Sequence, residues 1–486
     1  MSIGKKKSEA EVKAGLDAGL AAGLDWKSGR VFAYAYDPGE DVRRVAQNAY
    51  AQFAYENALD PTVFPGLLQF EREIGAKLLN HLNAPENAGA IYTSGGTESC
   101  MLGVRSALRC AQEKRPRLTA PELVLSNTTH PAFHKAANYF GIKVVIVDVD
   151  AKTAAPTAEA IAAAINERTV AVIASAPSYA HGVIDPVEAI AKVCREKDIW
   201  LHVDACVGGM LLPYYRELGR PIPAFDFSVP GVESISIDLH KYGYTPKGVS
   251  FILHRDRNNQ RFQRFTHTDW TGYTFVNQAM QSSRLGGPLA AAWAVLNYVG
   301  DEGYLDISRR MIADTDRLIA GIKAVDGLDI FGDPQFSMVA FYTTDGTDAL
   351  VVADEMSMRG FQLQGQIGNR GLPSTVHVSL HQGNGRQIDA FIQALNESMA
   401  AARIHCASQT GGASELINDE LIEHLATAED PTPVIEGLFT AVGLGDGKLP
   451  ERTAAIFNLL DRFPAQIRNR ILSDFAGKIY DPSTAR

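Results

Sequence analysis

Two residues carry the clearest capacity for chemistry, Asp204 and Lys241. Lys241 stands in Ser234-Ile235-Ser236-Ile237-Asp238-Leu239-His240-Lys241-Tyr242-Gly243, where a short apolar strand runs into a polar turn. An aldehyde-bearing cofactor needs an amine held at a fixed place by rigid structure. A lysine alone is ordinarily a solvated surface residue. The segment His202-Val203-Asp204-Ala205-Cys206 upstream gives this one weight. Asp204 follows an apolar run, so its carboxylate falls at a strand's carboxyl end, partly buried. A buried carboxylate is costly unless paired, and a protonated pyridine nitrogen is a suitable partner. Such an ion pair keeps the ring cationic and able to withdraw electrons from a substrate carbon. Taken alone, Asp204 reads equally well as a structural aspartate or a helix cap.

Two further segments belong to the same constellation. Ser94-Gly95-Gly96-Thr97-Glu98-Ser99 lies between Ile91-Tyr92 and a helical run through Arg109. Glycines there allow close backbone approach, and a helix N-terminus offers free amides to a phosphate; a plain N-cap at Thr97 is the other reading. No Gly-Lys-Ser/Thr follows, so this is not a P-loop. Thr129-His130-Pro131-Ala132-Phe133-His134-Lys135 follows an apolar run, and the His130 imidazole is placed either to stack on a planar ring or to sit in a surface loop.

The elements that must position these groups alternate along the chain. Leu123–Ser126, Val144–Val147, Val170–Ala174 and Ile199–Val203 read as strands, with helix-like segments at Thr157–Asn166 and Pro186–Arg195 between them. Shorter runs follow at Ser234–Ile237 and Val249–Leu253. Buried apolar strands alternating with helices argue an α/β fold with a parallel sheet covered on both faces, whose ligand sits at the carboxyl ends of the strands. Past residue 305 a long helix at Ile307–Val325, strands at Phe336–Tyr342 and Thr375–Leu380 and a helix near Ile388–Ala402 indicate a smaller α+β domain. Residues 411–486 open at Gly411-Gly412 and carry helical patterns at Leu416–Ala426 and Thr453–Phe463, which read as a helical appendage or a free tail. The expected division is an N-terminal segment 1–55, a large domain 56–304, a small domain 305–410 and the appendage 411–486.

Composition narrows the function classes. The chain has 486 residues, which implies two or three packed domains. A net charge of -10 and the lack of a basic cluster argue against a nucleic-acid partner. The cysteines Cys100, Cys110, Cys194, Cys206 and Cys406 are scattered, without a C-x-x-C pair, so neither a zinc site nor a disulfide framework is indicated. Dispersed thiols fit a reducing, cytoplasmic compartment. No signal-type leader and no long apolar stretch occurs, so no membrane span is expected.

The residues also match a family pattern. Thr93-Ser94-Gly95-Gly96-Thr97-Glu98-Ser99, His-Val-Asp-Ala-Cys-x-Gly-Gly at 202–209 and Ser-Ile-Ser-x-Asp-x-His-Lys-Tyr-Gly-x-x-Pro-Lys-Gly at 234–248 closely resemble the sphingosine-1-phosphate lyase family. They resemble the related group II decarboxylases, which use pyridoxal 5'-phosphate (PLP), somewhat less. Supporting pieces are the stretch from Asn57 to Gly66, His181-Gly182-Val183-Ile184-Asp185-Pro186 and Ser283-Arg284-x-Gly286-Gly287, and the likeness runs from about Ser28 to about Ala401. It implies a PLP-dependent transferase fold of type I, acting as a homodimer with shared active sites. It implies that Lys241 carries the cofactor as an imine, Asp204 pairs its ring nitrogen, and His130 stacks on the ring. Gly96, Thr97 and His240 would cradle its phosphate, with Ser283 from the second subunit, and Cys206 would lie near the ring. Tyr179 would sit by the substrate hydroxyl. Tyr36, from the partner subunit, and Lys247 would hold a substrate phosphate.

The pattern departs from the family at two motifs. The usual Asn-x-Leu-His-Pro stands as Asn57-Ala58-Leu59-Asp60-Pro61, and Ser-Arg-Pro-Gly as Ser283-Arg284-Leu285-Gly286. Asp60 therefore either faces the substrate head group or begins a turn before Pro61. The implied activity is retro-aldol cleavage of a phosphorylated long-chain amino alcohol. An amino-acid decarboxylase on the same cofactor site and a catalytically silent scaffold are the alternatives.

Overall fold

The computed structural model describes residues 4–408, 434, 437 and 451–482. Its central sheet has seven strands: β1 Gly89–Thr93, β2 Glu122–Ser126, β3 Lys143–Val147, β4 Thr169–Ser175, β5 Trp200–Asp204, β6 Val232–Asp238 and β7 Ser250–His254. They lie in the order β1-β7-β6-β5-β4-β2-β3. The pairs among β2 to β6 are parallel, and β7 runs antiparallel to both its neighbours, β6 and β1. The mainly parallel sheet expected from the alternation is therefore present, with one reversed strand inside it.

These strands are apolar on both faces because helices cover both. Val124, Leu125, Val172, Ile173, Leu201, Val203, Ile235 and Ile237 are all buried. Burial of each such side chain stabilises the fold by roughly 1.5–3 kcal/mol. The covering helix Val187–Glu196 shows the matching pattern: Val187, Ile190, Ala191 and Cys194 face inward at helical spacing.

Register brings the chemistry to one edge. Ser175 pairs with Asp204 across β4 and β5, and Asp204 pairs with Ser236 across β5 and β6. Both Asp238 and Thr93 pair with Ser250 on β7. The carboxyl ends of β1, β4, β5 and β6 thus share one edge, where ligands of such sheets bind. The helix Gly96–Lys114 starts there, directly after β1.

A long helix, Gly286–Lys323, leaves the large sheet, with a break at Gly300, whose φ of 61° is left-handed. It starts earlier than the expected 307 because its first turns are apolar and packed on the helix Glu40–Gln52 rather than amphipathic: Ala291 and Val295 cluster with Val42 and Ala46. Beyond it lies an antiparallel sheet in the order β10-β11-β13-β12, from β10 Leu328–Ile330, β11 Met338–Thr343, β12 Gln364–Gln366 and β13 Thr375–Ser379. A hairpin of β8 Phe265–His267 and β9 Phe275–Asn277 stands apart, with Phe265, Trp270, Tyr273 and Val276 exposed.

The helix at Ala454–Asp461 agrees with the expected pattern at 453–463. Its first amides are capped from another element: the Asp354 carboxylate accepts from the Thr453 and Ala454 amides at 2.9 and 2.8 Å. The helical pattern expected at 416–426 lies outside the described residues. Among the described residues, no helix is long and apolar enough to cross a membrane.

Candidate active site

The strand ends enclose a cavity of about 230 Å³, lined by Gly96, Thr97, Cys100, His130, Pro177, Tyr179, Asp204, Cys206, Val207, Asp238, His240 and Lys241. Eight of the residues expected from sequence meet there: Lys241, Asp204, His130, Tyr179, Gly96, Thr97, Cys206 and His240.

Lys241 follows β6 by three residues. Its Nζ is 2.9 Å from Asp238 Oδ2, and His240 Nε2 is 3.7 Å from the same oxygen. Burial alone would raise the Asp238 carboxyl, but Lys241 and His240 outweigh it and hold the acid below its usual range. Burial pulls the Lys241 ammonium down, and Asp238 more than reverses this, leaving it well above the ordinary lysine value. Asp238 also explains Gly96, since a Cβ there would lie 2.6 Å from Asp238 Oδ2. Only glycine lets the helix start pass so close to the carboxylate.

Asp204 is fixed at the end of β5. Its Oδ1 accepts from the Cys206 amide at 3.0 Å and from Ser236 Oγ at 3.3 Å. His130 opens the helix Pro131–Phe140, and its Nδ1 accepts from the Ala132 amide at 3.2 Å. Burial lowers its pKa, and Asp204 only partly compensates, so it presents a neutral ring with the proton on Nε2. His240 Nδ1 donates to the Val249 carbonyl at 2.7 Å, which turns Nε2 toward the cavity side.

Tyr179 comes from the loop after β4. Its hydroxyl donates to Gln364 Oε1 at 2.7 Å, and its ring stacks on His377 at 4.4 Å. Burial, reinforced by Tyr36 and Tyr34, holds its phenol above the usual range. Tyr179 therefore serves as a hydrogen-bond donor and is a poor base.

The cavity fits PLP. An amine, a carboxylate and an imidazole occupy separate walls, and the helix Gly96–Lys114 has no side-chain cap at its N-terminus, which leaves its first amides for a phosphate. The expectation of a plain Thr97 cap is thereby set aside.

Four expected residues lie outside this cavity. Tyr36 was expected from the partner subunit, but it stands beside its own chain's site. Its segment is held to the small sheet by Phe32 N–H to the Gln362 carbonyl and Ser379 N–H to the Phe32 carbonyl, which folds residues 31–37 back over the same chain. The Tyr36 ring lies 5.0 Å from the Tyr242 ring and 4.6 Å from Lys247 Nζ. Lys247 also donates to the His240 carbonyl at 3.2 Å. Its tip reaches the surface, yet the enclosing walls, with the Lys241 charge, draw its pKa down to about 8.

Ser283 is exposed and does not touch this chain's cavity. Its neighbour Arg284 is structural: it pairs with Glu71 at 2.7 Å and donates to the Ala58 carbonyl at 3.0 Å. That contact joins the two supporting motifs, 57–66 and 283–287.

Asp60 is not brought to the cavity. Its Oδ1 accepts from the Thr62 amide at 2.8 Å and the Thr62 hydroxyl at 2.6 Å. These bonds hold its carboxyl below the usual range in an exposed turn. Of the two readings of this residue, the turn is the one the chain adopts. Asp60→His is accordingly expected to leave the KM for a phosphate ester unmoved, and a fall in KM would show that the side chain meets the head group in the assembled protein.

Sequence reasoning passed over Asp238, although it ends a buried apolar strand just as Asp204 does. Gln364 and His377 gave no local signal, because they reach Tyr179 only through the packing of the second sheet.

A mainly parallel sheet with an amine, a carboxylate, a neutral imidazole and a free helix N-terminus around one cavity defines a PLP-dependent enzyme of fold type I. Comparison with known proteins narrows this. The family model of the pyridoxal-dependent decarboxylase conserved domain matches residues 7–344, and that of a pyridoxal-dependent enzyme C-terminal putative HTH domain matches 419–478. Sphingosine-1-phosphate lyases are similar over most of the chain. That of Dictyostelium discoideum is 35% identical over 79% of this chain and 71% of its own length. That of Rattus norvegicus is 32% identical over 89% and 76%. The solved structure of the Burkholderia pseudomallei sphingosine-1-phosphate lyase matches with a TM-score of 0.78 at 33% identity, covering 84% of this chain and 94% of that one. The chain belongs to the pyridoxal-dependent decarboxylase family, on its sphingosine-1-phosphate lyase branch.

Proposed function

We propose that the protein cleaves the C2–C3 bond of a phosphorylated long-chain amino alcohol in a retro-aldol reaction, giving a long-chain aldehyde and an ethanolamine phosphate. The observation that carries this is a cation beside the cofactor cavity that forms no ion pair among the described residues: Lys247, packed on Tyr36, where a phosphate head group can be held.

PLP, when bound, supplies an electron sink for the breaking bond. The chain's own residues then divide the work. Lys241 offers the amine that holds the cofactor aldehyde and yields it to the substrate amine. Asp204 keeps a proton on the cofactor's ring nitrogen. His130 presents an uncharged ring face. Tyr179 keeps its phenolic proton on Gln364, so its oxygen is left to accept a hydrogen bond from the substrate hydroxyl and orient it.

A product assay with phosphorylated amino alcohols and free amino acids tests this reading. Aldehyde formation supports it, and release of CO2 from an amino acid in its place would make the decarboxylase reading the right one.

Lys247 gives the binding a pH signature. Its ammonium is charged below about 8 and neutral above. The KM for a phosphorylated substrate is expected to rise as pH passes upward through that value. In Lys247→Ala the KM should already be high, and this step should vanish from the profile.

The exposure of Ser283 beside the aromatic hairpin supports a homodimer in which Ser283 completes the neighbouring subunit's site. Mixing inactive Ser283→Asp with inactive Lys241→Ala should restore part of the activity, because one hybrid site carries both native residues. Mixed dimers without recovery would place each site within a single chain.

A further inference from the structure

Folding brings together two thiols that the sequence keeps far apart. Cys100 lies in the first turns of the helix Gly96–Lys114, and Cys206 follows β5. The Cys100 and Cys206 sulfurs and an Asp204 carboxylate oxygen all lie within 4.8 Å of one another, and all three residues are largely shielded from solvent. All three also line the cavity that holds Lys241, so a small ion can reach them from it. Both cysteines are free thiols; Cys100 Sγ makes a long contact, 3.6 Å, with Ser236 Oγ and a thiol–thiol hydrogen bond with Cys206.

A tetrahedral d10 ion with Zn–S bonds of about 2.3 Å sets its ligands roughly 3.8 Å apart. The observed spread closes to that with modest side-chain rotation. Two thiolates and one carboxylate, with the cavity supplying a fourth position, form a donor set that selects soft ions over Mg2+ or Ca2+. Burial raises both thiols, so an ion must displace their protons to solvent. Only metals that bond strongly to sulfur meet that cost.

We propose that the cofactor-free protein binds one thiophilic divalent cation, of the Zn2+ or Cd2+ kind, through Cys100, Cys206 and Asp204, and that this cation and PLP exclude one another. The exclusion rests on the reading of Asp204 as the partner of the cofactor's ring nitrogen; the cation site itself does not.

The test uses full-length protein stripped of PLP and titrated with Cd2+, read by the ultraviolet thiolate-to-cadmium charge-transfer band. One equivalent per chain is expected. Cys100→Ser and Cys206→Ser should each weaken binding by more than about tenfold, while Cys110→Ser, outside the cavity, should keep the band. A parental circular-dichroism spectrum and melting transition show that each variant is folded. Saturating PLP should then expel Cd2+ from the parent protein into an indicator dye. Absence of the band, or its survival in Cys100→Ser, would overturn the site. Cd2+ and PLP bound together would overturn the exclusion and leave the site standing.

Discussion

Lys241→Ala is expected to lose the visible absorbance of the loaded protein and at least on the order of 10³-fold in turnover. Borohydride reduction followed by peptide mapping should place PLP on Lys241 in the parent; label on Lys247 would refute the assignment. The structure adds a second effect. Removing the ammonium leaves Asp238 buried without the cation at 2.9 Å, and stranding one member of a buried pair costs about 3 kcal/mol. Its sign with pH follows from the pairing. In the parent the Asp238 carboxyl is held below its usual range, so the pair's contribution is complete above that range and is lost as pH falls from it through the lowered folded-state value. Between cofactor-free variant and cofactor-free parent, the melting-temperature gap should be widest near neutrality and should close on acidification. Lys241→Ala/Asp238→Ala should recover part of it.

Asp204→Asn should lower turnover on the order of 10²- to 10³-fold while cofactor affinity changes far less. The amide keeps an oxygen for the Cys206 N–H and Ser236 hydroxyl contacts, so the local geometry survives. What goes is the charge that keeps the cofactor's ring nitrogen protonated. Stopped-flow turnover alongside equilibrium cofactor titration separates the two effects. A variant with near-parental turnover would remove Asp204 from the mechanism.

The residues legible in the sequence share one property: each ends an apolar run or opens a helix, so its place at the carboxyl edge follows from local pattern. Asp204, Lys241, His130 and the Gly96-Thr97 pair are of this kind. Gln364 and His377 are not, since their strands belong to the second sheet and only packing brings them to Tyr179. Cys100 sits in a helix where a thiol looks like any small core residue. The place of Tyr36 beside its own chain's site was not legible, because the backward fold of residues 31–37 depends on backbone bonds to Gln362 and Ser379 that side-chain types do not announce. The helices Glu40–Gln52 and Pro65–His81 were likewise unread.

The Asp238–Lys241 pair also bears on time. An amine attacks an aldehyde only as its free base, and Asp238 keeps that fraction very small near neutral pH. A cofactor-free chain should therefore take up PLP faster as pH rises. The speed of loading is thus tied to the same carboxylate that holds the lysine in place.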